Sequence, residues 1–84
     1  MEVCISEELR LRHPDLGPLV VGVDFFIDGP ANKVLETGIN TINIRYVQRP
    51  TLDGGFEDCP EYDAVDIAER AADSFVDRYV YDNT

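Results

Sequence analysis

The residues with the clearest spacing for chemistry are four carboxylates near the C-terminal end of the chain. They follow one another at intervals of three, four and four residues: Asp66, Glu69, Asp73 and Asp77. Residues three or four apart share one face of an α-helix. A helix over this segment would therefore carry them as a single row, which we call the acidic stripe.

The stripe belongs to the most acidic part of the chain. Residues 50–84 carry ten carboxylates and two arginines, whereas residues 1–49 carry seven carboxylates and five basic residues, and the net charge is −10. Three acids in the loop before the stripe extend this region: Asp53, Glu57 and Asp58. We predict that these seven carboxylates bind a basic protein surface, since strongly negative surfaces attract positive partners.

The stripe has a charge density close to that of DNA. Its eleven steps span about 16 Å at 1.5 Å per helical residue, and one DNA strand places about five phosphates over that distance. The like-charged pairs Glu69–Asp73 and Asp73–Asp77 each disfavour an isolated helix by about 0.2–0.5 kcal/mol. A face selected for stability alone would alternate in sign. Mimicry of a nucleic-acid backbone is one interpretation, and an ordinary solvated face is the other.

No other pattern in the sequence points to catalysis or to a cofactor. His13 is the single histidine, and it precedes a proline without a nucleophile signature nearby. Cys4 and Cys59 are too isolated for a zinc site, and we expect both to be reduced thiols that pack as small core residues. The turn at residues 53–55 lacks the ligand spacing of a calcium loop. We therefore predict no catalytic residue, no cofactor and no metal, and a protein that is not an enzyme.

The composition also argues against several partners and locations. A net charge of −10 opposes direct binding to nucleic acid or to an anionic membrane. No apolar run reaches the roughly 18–20 residues that span a bilayer, and the chain begins without the features of a secretory signal. We expect a cytoplasmic protein, located in the host cytoplasm if a virus encodes it. A homodimer would be a natural way for so short a chain to bury more apolar surface.

The first half of the chain predicts a hairpin. A hydrophobic content of 44% in 84 residues is typical of one small folded domain, spanning residues 1–84. Alternation predicts a strand over Leu19–Ile27 and a second over 42–49, which begins as early as Lys33 if Gly38 marks a bulge or a bend. The second strand is expected to point Ile42, Ile44 and Tyr46 one way and Asn43, Arg45, Val47 and Arg49 the other. The turn chemistry of residues 28–32 joins the two strands.

Helices are predicted at both ends of the chain. Asp63 can cap a C-terminal helix over 63–80, whose apolar face recurs at helical spacing, and a start nearer Pro60 is the alternative. Ser6 can cap a short helix over 6–13, and the alternative is an extended N-terminus with Val3 and Ile5 on one face. A brief third strand is expected near Phe56. The predicted fold class is α+β: an antiparallel hairpin or three-stranded sheet packed on one face by a C-terminal amphipathic helix, with a short N-terminal helix.

These features predict a small acidic protein-binding inhibitor without enzymatic activity. The type we expect is an anti-CRISPR or anti-restriction protein, virus-encoded, that blocks a basic nucleic-acid-binding surface of a host nuclease complex. This comparison rests on size, charge and simplicity, because no motif of a named family is present. The alternative is a small structural or oligomerising subunit, for example a virion component, whose acidity only serves solubility or salt adaptation. In that case an exposed strand edge would pair with a neighbour.

Overall fold

The computed structural model describes residues 2–81, which form an α+β fold with one antiparallel sheet. The four strands lie in the order β1-β2-β3-β4: β1 (Glu2–His13), β2 (Gly17–Asp28), β3 (Ile39–Pro50) and β4 (Phe56–Asp58). A 3-10 turn (Ala31–Lys33) and the short helix α1 (Val34–Thr37) connect β2 to β3. The helix α2 (Ala64–Val76) follows β4 and continues into a π-helical turn (Asp77–Tyr81).

β1 occupies the segment 6–13, for which a helix was predicted, and that prediction is wrong. The extended alternative is right, because all twelve residues of β1 pair with β2. Ser6 does not cap a helix; its hydroxyl donates to a carboxylate oxygen of Asp24 at 2.7 Å. Helix-capping signals are local and weak, whereas pairing along the whole of β2 satisfies a full ladder of backbone groups. Leu9 and Leu11 alternate with polar residues, which is the pattern of a half-buried strand.

β3 begins at Ile39, so the expected start at Lys33 is wrong. The segment from residue 31 to residue 37 turns helically instead. Gly38, expected to mark a bulge or a bend within the strand, has φ +79° and ends α1, and its N–H donates to the carbonyl of Val34 at 2.7 Å. A glycine adopts this left-handed conformation without the steric cost that a side chain would add.

Two bulges in β3 change which side chains face the helix. The pairing of β3 with β2 skips Asn40 and Arg45, and each extra residue reverses the alternation beyond it. Ile42 and Ile44 lie on the helix side as a pair, as predicted. Tyr46 and Val47, however, exchange the faces predicted for them, and Val47 joins the core with an exposed fraction of 4%. Strict alternation could not show this, because a bulge leaves no sharp signal in the residue types.

The core lies between β2 and α2. Five alternate residues of β2, all within the predicted strand Leu19–Ile27, are almost fully buried: Leu19, Val21, Val23, Phe25 and Ile27. From α2, Ile67, Ala71 and Phe75 pack against them, and the rings of Phe25 and Phe75 lie 4.5 Å apart. The side chain of Asp63 accepts hydrogen bonds from the backbone N–H groups of Val65 and Asp66, which confirms the predicted cap. The C-terminal amphipathic helix is therefore confirmed on one face of the sheet.

Candidate protein-binding surface

The outward face of α2 presents three carboxylates of the acidic stripe. Glu69, Asp73 and Asp77 are all exposed, and their positions span about 12 Å at 1.5 Å per residue. Helical geometry continues to Asp77, whose N–H donates to the carbonyls of Asp73 and Ser74. Within residues 2–81, no hydrogen bond or ion pair engages these three carboxylates. They form an uncompensated acidic row, which we call the outward row.

Asp66, the remaining carboxylate of the stripe, does not belong to the outward row. Its Oδ2 lies 2.7 Å from Nε2 of His13, and the Nε of Arg70 donates to its Oδ1 at 3.1 Å. These bonds, the one with His13 first, lower the pKa of Asp66 below its ordinary value. The expectation that all four carboxylates of the stripe face solvent in one row is therefore wrong for Asp66, which connects α2 to the end of β1.

His13 is buried and both of its ring nitrogens are engaged. The backbone N–H groups of Asp15 and Leu16 donate to Nδ1 at 3.0 and 3.1 Å. Because Nδ1 is an acceptor, this geometry assigns the ring proton to Nε2, which donates to the carboxylate of Asp66. A general base needs a nitrogen that can reach a substrate, and neither nitrogen of this imidazole is free to do so.

A shallow depression of about 360 Å³ beside His13 is lined largely by acids. Glu61 lies on its rim and accepts a hydrogen bond from the thiol of Cys59 at 3.3 Å. Burial, followed by this hydrogen bond, raises the pKa of Cys59, whereas a nucleophilic cysteine needs a lowered pKa. The arrangement offers no activated nucleophile. The absence of enzymatic activity stays a prediction.

The two cysteines are free thiols in different environments. Cys59 is 1% exposed and belongs to the core, as predicted. Cys4 is exposed on the edge strand β1, so the expectation of a core position is wrong for it. It pairs with Phe26, on the sheet face opposite α2. Alternation along β1 places Cys4 outward, and this follows only once β1 is known to be a strand.

Two of the three loop acids are engaged by neighbouring groups. The carboxylate of Asp53 accepts hydrogen bonds from the hydroxyl of Thr51 and from the N–H of Gly55, and the bond with Thr51 contributes most to its lowered pKa. The carboxylate of Glu57 accepts a hydrogen bond from Nε of Arg49 at 2.8 Å. Asp53 thus stabilises its own turn and Glu57 neutralises an arginine.

Asp58, the third loop acid, lies on another surface. Asp58 pairs with Gln48 of β3, and Gln48 pairs with Val20 of β2. Paired residues have their side chains on the same face of a sheet, so the side chain of Asp58 lies on the face opposite α2. The structure therefore does not join the loop acids to the outward row. The partner-binding role predicted for all seven carboxylates stays a prediction, and the geometry groups only three of them.

One flank of the outward row borders two arginines. Arg12 and Arg70 line a depression of about 270 Å³ together with Asp73 and Asp77. The opposite flank, at Glu69, borders alanines and an apolar groove instead. Arginine side chains therefore border Asp73 and Asp77, whereas Glu69 borders the apolar groove.

Glu7 supports the end of the row, and sequence analysis missed this role. Its carboxylate accepts hydrogen bonds from the hydroxyl of Tyr79 and from a guanidinium nitrogen of Arg78 at 3.0 Å. The side chain of Glu7 is only 14% exposed. The available signal was a carboxylate between Ile5 and Leu9 in an alternating pattern, where an apolar residue would be expected in a strand.

Comparison with known proteins does not identify a family for this chain. The chain matches no protein-family model, and no curated protein and no solved structure is significantly similar to it. Among residues 2–81, no group of three or more histidine, cysteine or acidic side chains could hold a metal ion. No helix in the same range is long and apolar enough to cross a bilayer. The functional argument therefore rests on the residues of the outward row.

Proposed function

We propose that this chain is a small acidic inhibitor without enzymatic activity that binds a basic protein surface through the outward face of α2. The target class is a nuclease or effector complex of a host, and the binding would cover the surface that holds its nucleic acid. This is the mode of action expected of an anti-CRISPR or anti-restriction protein. The observation that carries the proposal is the outward row, in which no carboxylate of Glu69, Asp73 or Asp77 is neutralised within residues 2–81.

The spacing of the row supports this proposal. One DNA strand places about three or four phosphates along 12 Å, and the row offers three carboxylates over that distance. The row also lowers helix stability, because both of its i,i+4 pairs are like-charged. Five of the seven lysines and arginines are paired with carboxylates, so the chain has the means to neutralise acids elsewhere.

The row is held rigidly, which favours binding. Asp63 caps the start of α2, Phe75 anchors its last turn in the core, and Glu7 holds the following turn against β1. A rigid set of charges loses little conformational entropy when a partner binds. The contact would be electrostatic and near the surface, so we expect it to weaken steeply as salt shortens the Debye length.

The test is competition with DNA for purified nuclease complexes. Fluorescence anisotropy would follow labelled DNA bound to RNA-guided and restriction complexes as the protein is added, at low and at high salt. The wild type should displace the DNA, and the double variant Asp73→Lys, Asp77→Lys should fail. The double variant Glu2→Lys, Glu36→Lys makes the same change in net charge at exposed sites away from α2 and should act as the wild type does. Equal potency of both double variants would refute the proposal.

A second function is favoured by one observation: within residues 2–81, a strand pairs with the outer edge of β3 only at residues 48–50. Under this alternative the chain is a small structural or oligomerising subunit, and its acidity serves solubility or salt adaptation. Such a subunit would self-associate through apolar surface and would tolerate charge reversal at Asp73 and Asp77. The same two double variants therefore separate the alternatives.

A further inference from the structure

The outer edge of β3 is unpaired over most of its length. β4 pairs only with residues 48–50 of β3, and the N–H of Cys59 donates to the carbonyl of Val47 at 3.0 Å. Within residues 2–81, no strand lies beside residues 39–46 on that side. The free N–H and C=O groups of an edge strand are a template for another strand.

This edge lacks the protection that edge strands normally carry. Charged side chains are a common means of blocking edge-to-edge pairing, and β1, at the other edge of the sheet, is rich in them. Residues 38–44 contain no charged side chain at all. The bulges at Asn40 and Arg45 bracket a regular segment, Thr41–Ile44, that remains available for pairing.

An apolar groove adjoins the same edge. It lies between β3 and α2, measures about 500 Å³, and includes Ile42, Ile44, Ala68 and Ala72 in its walls. The two isoleucines are only half-buried, because the alanines of α2 are too short to cover them. Backbone pairing at the edge and apolar contact in the groove could therefore be made by the same partner.

The charge distribution indicates what that partner is. Residues 37–52 contain no aspartate or glutamate, although the chain has 17 acids, and they include the two arginines Arg45 and Arg49. Two copies of a chain with a net charge of −10 repel each other through most of their surface. The repulsion between the two copies is weakest if they meet through this strand, because the strand carries no acidic residue.

We propose that a second copy of this chain pairs with the outer edge of β3, antiparallel and about a two-fold axis at Asn43. Two residues that pair across antiparallel strands have their side chains on the same face of the sheet. The two-fold axis must therefore relate one residue to its own copy, and it cannot lie between two successive residues of the strand. An axis at Asn43 sets Ile42 opposite Ile44 of the second copy in both directions. An axis at Ile42 would instead set Ile44 opposite Asn40, and an axis at Ile44 would set Ile42 opposite Tyr46.

The product is a continuous antiparallel sheet with six long strands side by side and closed apolar grooves at its centre, and each β4 stays beside residues 48–50 of its own β3. An isologous contact of this kind closes on itself and gives a dimer rather than a fibre. Asp73 and Asp77 do not line this groove and would stay exposed on both copies, whereas Glu69 lines the groove and would lie at the dimer contact. The inference does not depend on the target of the outward row, and each proposal can fail without the other.

Disulfide trapping tests the register directly. In a Cys4→Ser background, Asn43→Cys would place two thiols opposite each other across the axis. Opposed residues of antiparallel strands have Cα atoms about 4.5–5.5 Å apart, within the roughly 4.4–6.8 Å that a disulfide spans. Mild oxidation should give a covalent dimer on a non-reducing gel. Thr41→Cys is the matched control, because its two copies would lie four residues apart along the strands and should not cross-link. Cross-linking of both variants or of neither would overturn the proposal.

Molar mass in solution gives a second, independent measurement. Sedimentation equilibrium should show a dimer of the wild type, with dissociation at least tenfold easier for Ile42→Lys. Ile5→Lys is the matched control, because Ile5 is also half-buried on the helix side of an edge strand, β1. It should remain dimeric, and circular dichroism would verify the fold of both variants. A monomeric wild type at high micromolar concentration, or equal dissociation of the two variants, would overturn the proposal.

Discussion

The Oδ2 of Asp66 lies 2.7 Å from Nε2 of His13, a residue 53 positions earlier in the chain. This contact fastens the first turn of α2 to the end of β1, and it removes one carboxylate from the acidic stripe. The remaining three face solvent along α2. Asp66 is engaged by His13 and Arg70, whereas no hydrogen bond or ion pair engages the carboxylates of Glu69, Asp73 and Asp77 within residues 2–81.

Replacing Asp66 should destabilise the fold, while replacing its neighbour in the stripe should not. Asp66→Asn keeps the size of the side chain but loses the charge that His13 and Arg70 both contact. We expect a lower melting temperature, because charge-assisted hydrogen bonds are the stronger ones. Asp73→Asn is the matched control and should melt at or slightly above the temperature of the wild type. Thermal denaturation followed by circular dichroism would decide, and equal losses in both variants would contradict the assigned role.

The contribution of Asp66 should vanish in acid. Its pKa is lowered in the folded state from an ordinary value of 3.8, first by the hydrogen bond with His13 and then by that with Arg70. A lowered pKa means stability that is fully present above the ordinary value and is lost as pH falls through the folded value. The difference in free energy of unfolding between wild type and Asp66→Asn should therefore be constant near neutral pH and shrink below about pH 4. Urea unfolding over a pH series measures it, and a difference that grows in acid would reverse the sign of the argument.

Charge reversal at the centre of the outward row should stabilise the protein. Asp73→Lys converts the like-charged pairs with Glu69 and Asp77 into opposite-charged pairs. Each conversion removes a penalty of about 0.2–0.5 kcal/mol and adds an attraction of similar size. We expect a gain of roughly 0.8–2 kcal/mol in the free energy of unfolding at low salt, declining as salt is added. Glu36→Lys, at an exposed acid of α1, is the control and should show no such gain.

The same variant should separate stability from binding. If the row is selected for a partner, Asp73→Lys will be more stable than the wild type and will compete less well for a basic target. A row that exists only for solvation would show the gain in stability with no loss of any function.

Gly22 and Tyr46 should be energetically coupled. The ring of Tyr46 covers Gly22 on the open face of the sheet, and a Cβ built on Gly22 would lie 2.2 Å from that ring. Gly22→Ala should therefore displace Tyr46 and break its hydrogen bond to Glu8, which is 2.9 Å long. We expect a loss of about 1–3 kcal/mol, the usual cost of overpacking.

The double-mutant cycle provides the control for this coupling. In a Tyr46→Ala background the clash is absent, and alanine is favoured over glycine in a strand by about 0.5–1 kcal/mol. Gly22→Ala should then be neutral or stabilising. A loss of the same size in both backgrounds would show that the ring of Tyr46 does not determine the residue at position 22.

Local sequence patterns predicted the elements whose signals are redundant. The five buried residues of β2 alternate without interruption, and the apolar face of α2 recurs over three turns behind a capping aspartate. Both elements therefore appear where they were expected. The N-terminal segment was predicted wrongly because its short-range signals for helix and strand are nearly balanced. Pairing with β2, a contact between distant residues, decides in favour of the strand.

What the sequence by itself determined is the class of the molecule: a small α+β chain, strongly acidic, with one amphipathic helix that carries carboxylates on its polar side. The tertiary structure alone decided which of those carboxylates are compensated, because charge compensation depends on groups that are far apart in the chain. His13, which lies 53 residues earlier in the chain, contacts the carboxylate of Asp66, so this carboxylate is not part of the outward row. The bulges of β3 and the shortness of β4 leave an acid-free strand at one edge of the sheet. The spacing of residues along the chain determines which side chains share one face of a helix, but only the folded structure determines which groups lie opposite that face.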